Sequence, residues 1–247
     1  MIIVMDVDGT ICFNGISIEE ELRNEIHRLT KKHKIIFASA RPIRDLLPVI
    51  KTFENESLIG GNGSIISTNK VVSVVGNIPK NEFTEIKSII VENNLEYIID
   101  GSFNYSANVS KENKIFRQLD PDNLAECLGM REIVNPIKII LVGLSNELFS
   151  YLKNQLKKYE DKLSINYHET ENNIDITAKE INKYTTLKRI IGSQPYIAYG
   201  NDINDYELLK YSQKAYYVGN SIKDLPFSNV EQLNSDSKSI VESLRKY

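Results

Sequence analysis

Three short apolar runs constrain the fold most: IIVMDV at 2–7, KIIFAS at 34–39 and SLIGG beginning at 57. Each is too short for a buried helix, rich in isoleucine or valine, and followed by turn-forming residues, so each reads as a buried strand. Between the first two, Ile18, Leu22, Ile26 and Leu29 recur at helical spacing among Glu, Arg and Lys, which predicts an amphipathic helix over 18–32. Strand, helix, strand in that order predicts a parallel sheet with helices on its faces, an α/β architecture of Rossmann-like type. Ligands of such sheets bind beyond the carboxyl ends of the strands. DVDGT (6–10), SAR (39–41) and GGNG (60–63) each sit just past a strand, so all three are expected at one edge.

The pattern changes after about Pro79. The sequence predicts a helix over 80–94, a strand over 96–100, a short helix near 121–128 and a strand in PIKIILVG. A helix over 146–159 and two strands of alternating polarity, LSINYHE and NNIDITAK, follow. From Lys183 the earlier pattern returns: helix KYTTLKRIIG, strand PYIAYG, polar loop NDIND and a helix through Leu209. The expected layout is a core of 1–78 and 178–247 interrupted by an inserted α+β domain at 79–177. A further helix in RPIRDLLPVIKTF should be kinked or delayed by Pro48.

Composition narrows the function classes. With 41% hydrophobic residues over 247 positions, the chain can bury one large core or two modest ones. A net charge of -3, with scattered Lys and Arg apart from runs such as KKHK, gives no basic footprint for nucleic acid. Cys12 and Cys127 form neither a disulfide framework nor a zinc spacing, which suits a reducing compartment. No apolar run approaches the ~18 residues of a membrane helix. The first residues lack a signal-peptide pattern, so a cytoplasmic protein without membrane partners is expected.

Asp6 and Asp8 lie two apart in an extended segment, so both face one way, about 6.5–7 Å apart along the strand. Burying two unpaired carboxylates is costly, and a cation between them removes the cost. Magnesium suits carboxylate and carbonyl oxygens and keeps waters or phosphate oxygens. A calcium loop of EF-hand type is excluded, because Gly9 stands fourth and Ser17 twelfth from Asp6, where glycine is needed sixth and glutamate twelfth. A polar turn after a strand is the plain alternative. Ser39 offers a hydroxyl to a phosphate oxygen or to a helix N-terminus. Lys183 opens a helix, where it opposes the dipole and makes better sense neutralising a phosphoryl group than as a stabiliser. Asn201, Asp202, Asn204 and Asp205 crowd one loop after a buried strand, more than an Asx cap requires.

DVDGT, the strand-ending serine before AR, the lysine on a returning helix and GNDIND after a strand occur in that order. The chain resembles the haloacid dehalogenase superfamily of phosphatases. NGS at 62–64 and the insertion after the third strand are similar to its Cof-like sugar-phosphatase branch, in which the inserted domain is a cap that chooses the substrate. The resemblance implies that Asp6 attacks phosphorus to form an aspartyl-phosphate, while Asp8 serves as acid and then base. It implies a magnesium ion on the Asp6 carboxylate and the Asp8 main-chain carbonyl, with Asp205 and either Asn201 or Asp202 completing the set. Ser39 and Lys183 would bind the phosphoryl oxygens, and Arg41, Asn62, Gly63 and Asn204 are candidates for substrate contact. Asp100, Tyr105, Lys138 and His168 are polar candidates on the cap. Asn201 departs from the aspartate usual at its position, which leaves open whether its carbonyl ligates the metal or Asp202 takes over. The implied activity is hydrolysis of a small phosphomonoester, such as a sugar phosphate, by a monomer or homodimer. Phosphotransfer or mutase chemistry through the same intermediate, or a weakly active binding module, are the alternatives.

Overall fold

The computed structural model describes residues 1–219 and 228–247. The chain divides into two compact units, one of Met1–Val72 with Asn182–Tyr247, the other of Ser73–Ile181. The sequence places these crossings at 78/79 and 177/178; in the structure they fall at 72/73 and 181/182.

The first unit begins β1 (Ile2–Asp6), α1 (Glu20–Thr30), β2 (Lys34–Ala38), α2 (Ile43–Ile50), β3 (Ser57–Gly60) and β4 (Ile65–Thr68), and β5 (Val71–Val74) crosses its boundary. The second contains α3 (Lys80–Glu92), β6 (Glu96–Asp100), β7 (Tyr105–Asn108), β8 (Lys138–Val142), α4 (Asn146–Leu156), β9 (Leu163–His168) and β10 (Asn173–Ala178). The first unit then resumes with α5 (Lys183–Ile191), β11 (Tyr196–Gly200), α6 (Tyr206–Lys210), β12 (Lys214–Val218), β13 (Val230–Leu233) and α7 (Ser237–Leu244).

The larger sheet runs β13-β12-β11-β1-β2-β3-β4-β5. Neighbours from β13 to β3 are parallel, and β4 turns back antiparallel on β3. β1 lies between β2 and β11, which is why its residues are apolar on both faces. Ile2, Val4, Ile36 and Ala38 pack against Leu187 and Ile191 of α5 and Leu208 and Leu209 of α6. On the opposite face, Phe37 of β2 meets Phe53, whose ring lies tilted against His27 of α1 with centroids 4.3 Å apart. Leu22, Ile26 and Leu29 form the buried stripe of α1, each side chain contributing about 1.5–3 kcal/mol on burial. The alternating strand and helix pattern of the sequence is thus present as a parallel core with helices on both faces.

Pro48 does not delay α2, which starts at Ile43; the proline sits late in a short helix, which ends at Ile50 and passes into a 3-10 turn over Lys51–Phe53. One local expectation fails. No helix forms near 121–128. There the Asp120 carboxylate accepts from the Leu124 and Ala125 amides, and the segment is tied to β7 by main-chain bonds from Tyr105 to Glu126 and from Leu128 to Tyr105. The 3-10 turn of this region lies earlier, at Lys114–Gln118.

The second unit is an antiparallel sheet, β7-β6-β8-β10-β9. One face, carrying Ile99, Ile139, Leu141, Ile174 and Ile176, packs on Phe83, Ile86 and Ile90 of α3 and Phe149 and Leu152 of α4. Because strand residues alternate, the register puts Tyr105, Asp100, Lys138, Asp175 and His168 together on the other face. Lys138 Nζ lies 2.7 Å from Asp175 Oδ2, and His168 Nε2 lies 3.8 Å from the same oxygen. Burial pushes the Asp175 carboxyl up, but Lys138 and His168 override it and hold it at about 2.

Candidate active site

Asp6 ends β1, and the chain turns at once. The amides of Thr10, Ile11 and Cys12 all donate to the Val7 carbonyl, a tight turn that brings the Thr10 hydroxyl back to Asp6. Thr10 Oγ1 donates to Asp6 Oδ2 at 2.7 Å. The other carboxylate oxygen, Oδ1, accepts from Lys183 Nζ at 2.6 Å. Lys183 also reaches Asp205 Oδ1 at 2.8 Å and Asn204 Oδ1 at 3.4 Å. All three charged side chains are buried, Lys183 being 1% exposed and Asp205 fully covered. Burial, then the charge of Asp205, push the Asp6 carboxyl up to about 7, against the pull of Lys183. Burial works against the Lys183 ammonium, but Asp205 and Asp6 outweigh it and raise its pKa.

Lys183 gets there through its own helix start. Asn182 caps α5 with a capping box, its side chain accepting from the Thr185 amide while Thr185 Oγ1 accepts from the Asn182 amide. Gly63 makes room for that helix end. It adopts φ +105°, and a Cβ there would stand 2.3 Å from the Asn182 carbonyl oxygen. Its own carbonyl accepts from Thr186 Oγ1 at 2.7 Å. The glycine, offered by the sequence as a substrate contact, thus holds the loop after β3 against the N-terminus of α5.

Asp8 is half-exposed and held in a fork. Arg41 Nη2 donates to its Oδ1 at 2.6 Å and Nε to its Oδ2 at 2.8 Å, while Nη2 also reaches the Gly15 carbonyl at 2.8 Å. Burial disfavours the Arg41 charge, but the Asp8 carboxylate more than compensates and raises its pKa. Arg41 therefore positions Asp8 in this structure rather than standing free for a ligand. The Ser39 hydroxyl accepts from the Arg41 amide at 3.0 Å and keeps its own hydrogen for another acceptor. Asn62 (φ 55°) donates its amide to the Ser39 carbonyl, and its Oδ1 lies 3.5 Å from Asn204 Nδ2.

In the loop after β11, Asp205 Oδ2 accepts from the Asn201 and Asp202 amides at 3.1 and 3.3 Å, which fixes the loop from within. The Asp202 side chain is exposed and accepts from the Ile203 amide at 2.6 Å, a local cap. Asn201 Oδ1 lies 3.2 Å from Thr10 Oγ1. Asp6, Lys183 and Asp205 are thus in direct contact, with Asn201 and Asn204 beside them. Ser39, Asp8, Arg41 and Asn62 belong to the neighbouring loops at the same strand ends, and Asp202 engages its own loop. Thr10 was missing from the predicted contacts. Its signal was its place four residues after Asp6 in a turn, which an extended-strand reading does not bring back.

Among the described residues, no three His, Cys, Asp or Glu side chains converge, so no soft or imidazole-rich metal is served. Two buried carboxylates, Asp6 and Asp205, do converge on Lys183, with the side-chain oxygens of Asn201 and Asn204 beside them. That set fits magnesium, which typically takes one or two carboxylates and fills its shell with waters and phosphate oxygens.

A family model described as haloacid dehalogenase-like hydrolase matches residues 3–234. The chain belongs to the haloacid dehalogenase-like hydrolase family. Solved structures with the same fold include a protein from Thermotoga maritima, with 18% identity, TM-score 0.82, and coverage of 100% of this chain and 97% of that one. A haloacid dehalogenase-like hydrolase from Bacteroides thetaiotaomicron has 17% identity, TM-score 0.82 and coverage of 99% and 98%. A sugar phosphatase of subclass IIB of the superfamily has 17% identity, TM-score 0.77 and coverage of 99% and 98%. No curated protein matches the sequence. Among the described residues, no helix is long and apolar enough to cross a membrane.

Proposed function

We propose that this hydrolase is a magnesium-dependent phosphomonoesterase acting on a small phosphorylated metabolite, a sugar phosphate or a compound of similar size. One observation carries the reading: Asp6 stands at the end of a buried parallel strand with each carboxylate oxygen fixed, one by Lys183 and one by Thr10, and with Asp8 two residues on. A nucleophile held this way attacks along one line. An Asp6 oxygen forms a bond to phosphorus as the bond to the leaving oxygen breaks, and Asp8 gives that oxygen its proton. Water then attacks the phosphorus of the aspartyl-phosphate, Asp8 takes the water's proton, and Asp6 leaves as a carboxylate with release of phosphate.

Positive charge offsets the repulsion between the Asp6 anion and the anionic phosphoryl group. Lys183 supplies part of it, and the Ser39 hydroxyl is free to donate to a phosphoryl oxygen. Magnesium, held by Asp6, the Asp8 carbonyl and Asp205, would supply the rest by neutralising the transferring group. The second unit is read as the cap that chooses the substrate, its polar sheet face offering Tyr105, Lys138 and His168. The known activity of one structural neighbour, a sugar phosphatase, supports this substrate class.

The test is release of phosphate from an aryl phosphate with and without magnesium, with Asp6→Asn as the blank. Magnesium-dependent release lost in the variant is expected; equal release from both proteins overturns the reading. Transfer of labelled phosphate to a sugar acceptor would replace hydrolysis by phosphotransfer.

A further inference from the structure

Asn201 sits in a space that Gly9 leaves open. Gly9, in the DVDGT turn, has φ +75°, and a Cβ there would stand 2.2 Å from Asn201 Nδ2. From this position the carboxamide meets Thr10 Oγ1 at 3.2 Å, and the same hydroxyl lies 2.7 Å from Asp6 Oδ2. A hydroxyl has one hydrogen to give. The Asp6 contact is the shorter by half an ångström, 2.7 Å against 3.2 Å, so the hydrogen goes to Asp6. An amide oxygen at 3.2 Å would then face a lone pair of Thr10. A half-turn of the carboxamide exchanges Oδ1 and Nδ2, which are nearly equal in size, and makes Asn201 the donor. In the unturned orientation, Nδ2 has no acceptor among the described residues.

We infer that Asn201 is a positioning residue for Asp6: its amide N–H donates to Thr10 Oγ1, and Thr10 donates to Asp6 Oδ2. With Lys183 on Oδ1, this chain fixes both oxygens of the carboxylate. The role deepens the phosphatase reading and rests on it only in treating Asp6 as the nucleophile. An aspartate at 201 has no hydrogen to offer and would compete with Asp6 for the one on Thr10. The competing account has the Asn201 oxygen ligating the metal.

A double-mutant cycle separates the two, using Thr10→Val, Asn201→Ala and the double variant, with Thr10→Ser as the conservative control. In chelator, each single substitution is expected to lower the thermal midpoint by about 2–4 °C, and the double variant by far less than the sum. In turnover, kcat falls about tenfold in either variant with KM unmoved, and Thr10→Ser recovers most of it. Magnesium affinity, titrated calorimetrically, stays within about threefold of wild type. Asn201→Asp is expected to melt below Asn201→Ala in chelator and to turn over no faster. Additive single effects overturn the inference. So does a magnesium affinity about tenfold weaker in Asn201→Ala, or faster turnover by Asn201→Asp, since both follow from ligation. If the wild type shows no phosphatase activity, that reading falls, and the cycle in chelator still decides whether Asn201 acts through Thr10.

Discussion

Replacing Lys183 by methionine removes a cation in contact with both Asp6 and Asp205 while keeping most of the side-chain volume. The ammonium sits 2.6 Å from one carboxylate and 2.8 Å from the other, all three groups being buried. Removing one partner of a buried ion pair costs about 3–5 kcal/mol, because the remaining charge is left uncompensated. Here two carboxylates are left, so the upper part of that range applies. For a chain of this size, each kcal/mol moves the melting midpoint by about 2–4 °C, which gives a fall of roughly 10–20 °C for the magnesium-free protein. The assay is thermal unfolding in chelator and again in excess magnesium. Magnesium is expected to stabilise the variant more than the wild type, since a cation returns to the gap between two anions. Adding Asp205→Asn to the variant removes one stranded charge and should restore part of the loss. A fall of less than about 2 °C in chelator would refute the buried-triad argument, and an unchanged response to magnesium would refute the shared-site argument.

Arg41→Met breaks the fork on Asp8; kcat is expected to fall about 10–100-fold with KM little changed, whereas a rise in KM alone would make Arg41 a substrate contact. Gly63→Ala puts a methyl group against the Asn182 backbone at a left-handed φ, and should lower stability by about 2–5 kcal/mol in urea unfolding, with loss of turnover as Lys183 is displaced. Asp175, held at about 2 against an ordinary 3.8, stabilises the ionised folded state; the contribution, about 2 kcal/mol, is complete above about pH 4 and lost as pH falls towards 2. Asp175→Asn should therefore flatten the acid limb of urea-unfolding midpoint against pH, and an identical limb in both proteins would refute the ion-pair account.

Local signals explain what was legible in the sequence. The run ending at Asp6, the stripe of Leu22, Ile26 and Leu29, and the return of strand and helix after Lys183 each depend on residues within one element. What depended on partners was not legible. YSAN at 105–108 lacks an apolar alternation and is a strand because β6 pairs with it. The helix expected near 121–128 gives way to bonds from Asp120 and β7, which no window of sequence contains. At the site, the acidic and amide residues could be gathered at one edge from strand order alone. That Arg41 would grip Asp8, that Asp202 would close on its own loop, and that Thr10 would turn back to Asp6 are facts of side-chain pairing.

The position of β1 has a consequence for synthesis. The strand emerges before both of its neighbours, and one of them, β11, follows the whole inserted unit. Until Tyr196–Gly200 leaves the ribosome, one edge of Ile2–Asp6 has no native strand to pair with, an apolar ribbon of the kind that other chains can extend. The charges share this delay, for Asp6 is made more than 170 residues before the lysine that balances it. A nascent chain interrupted within the second unit therefore carries the strand and its acid without Lys183, and is both incompetent and exposed.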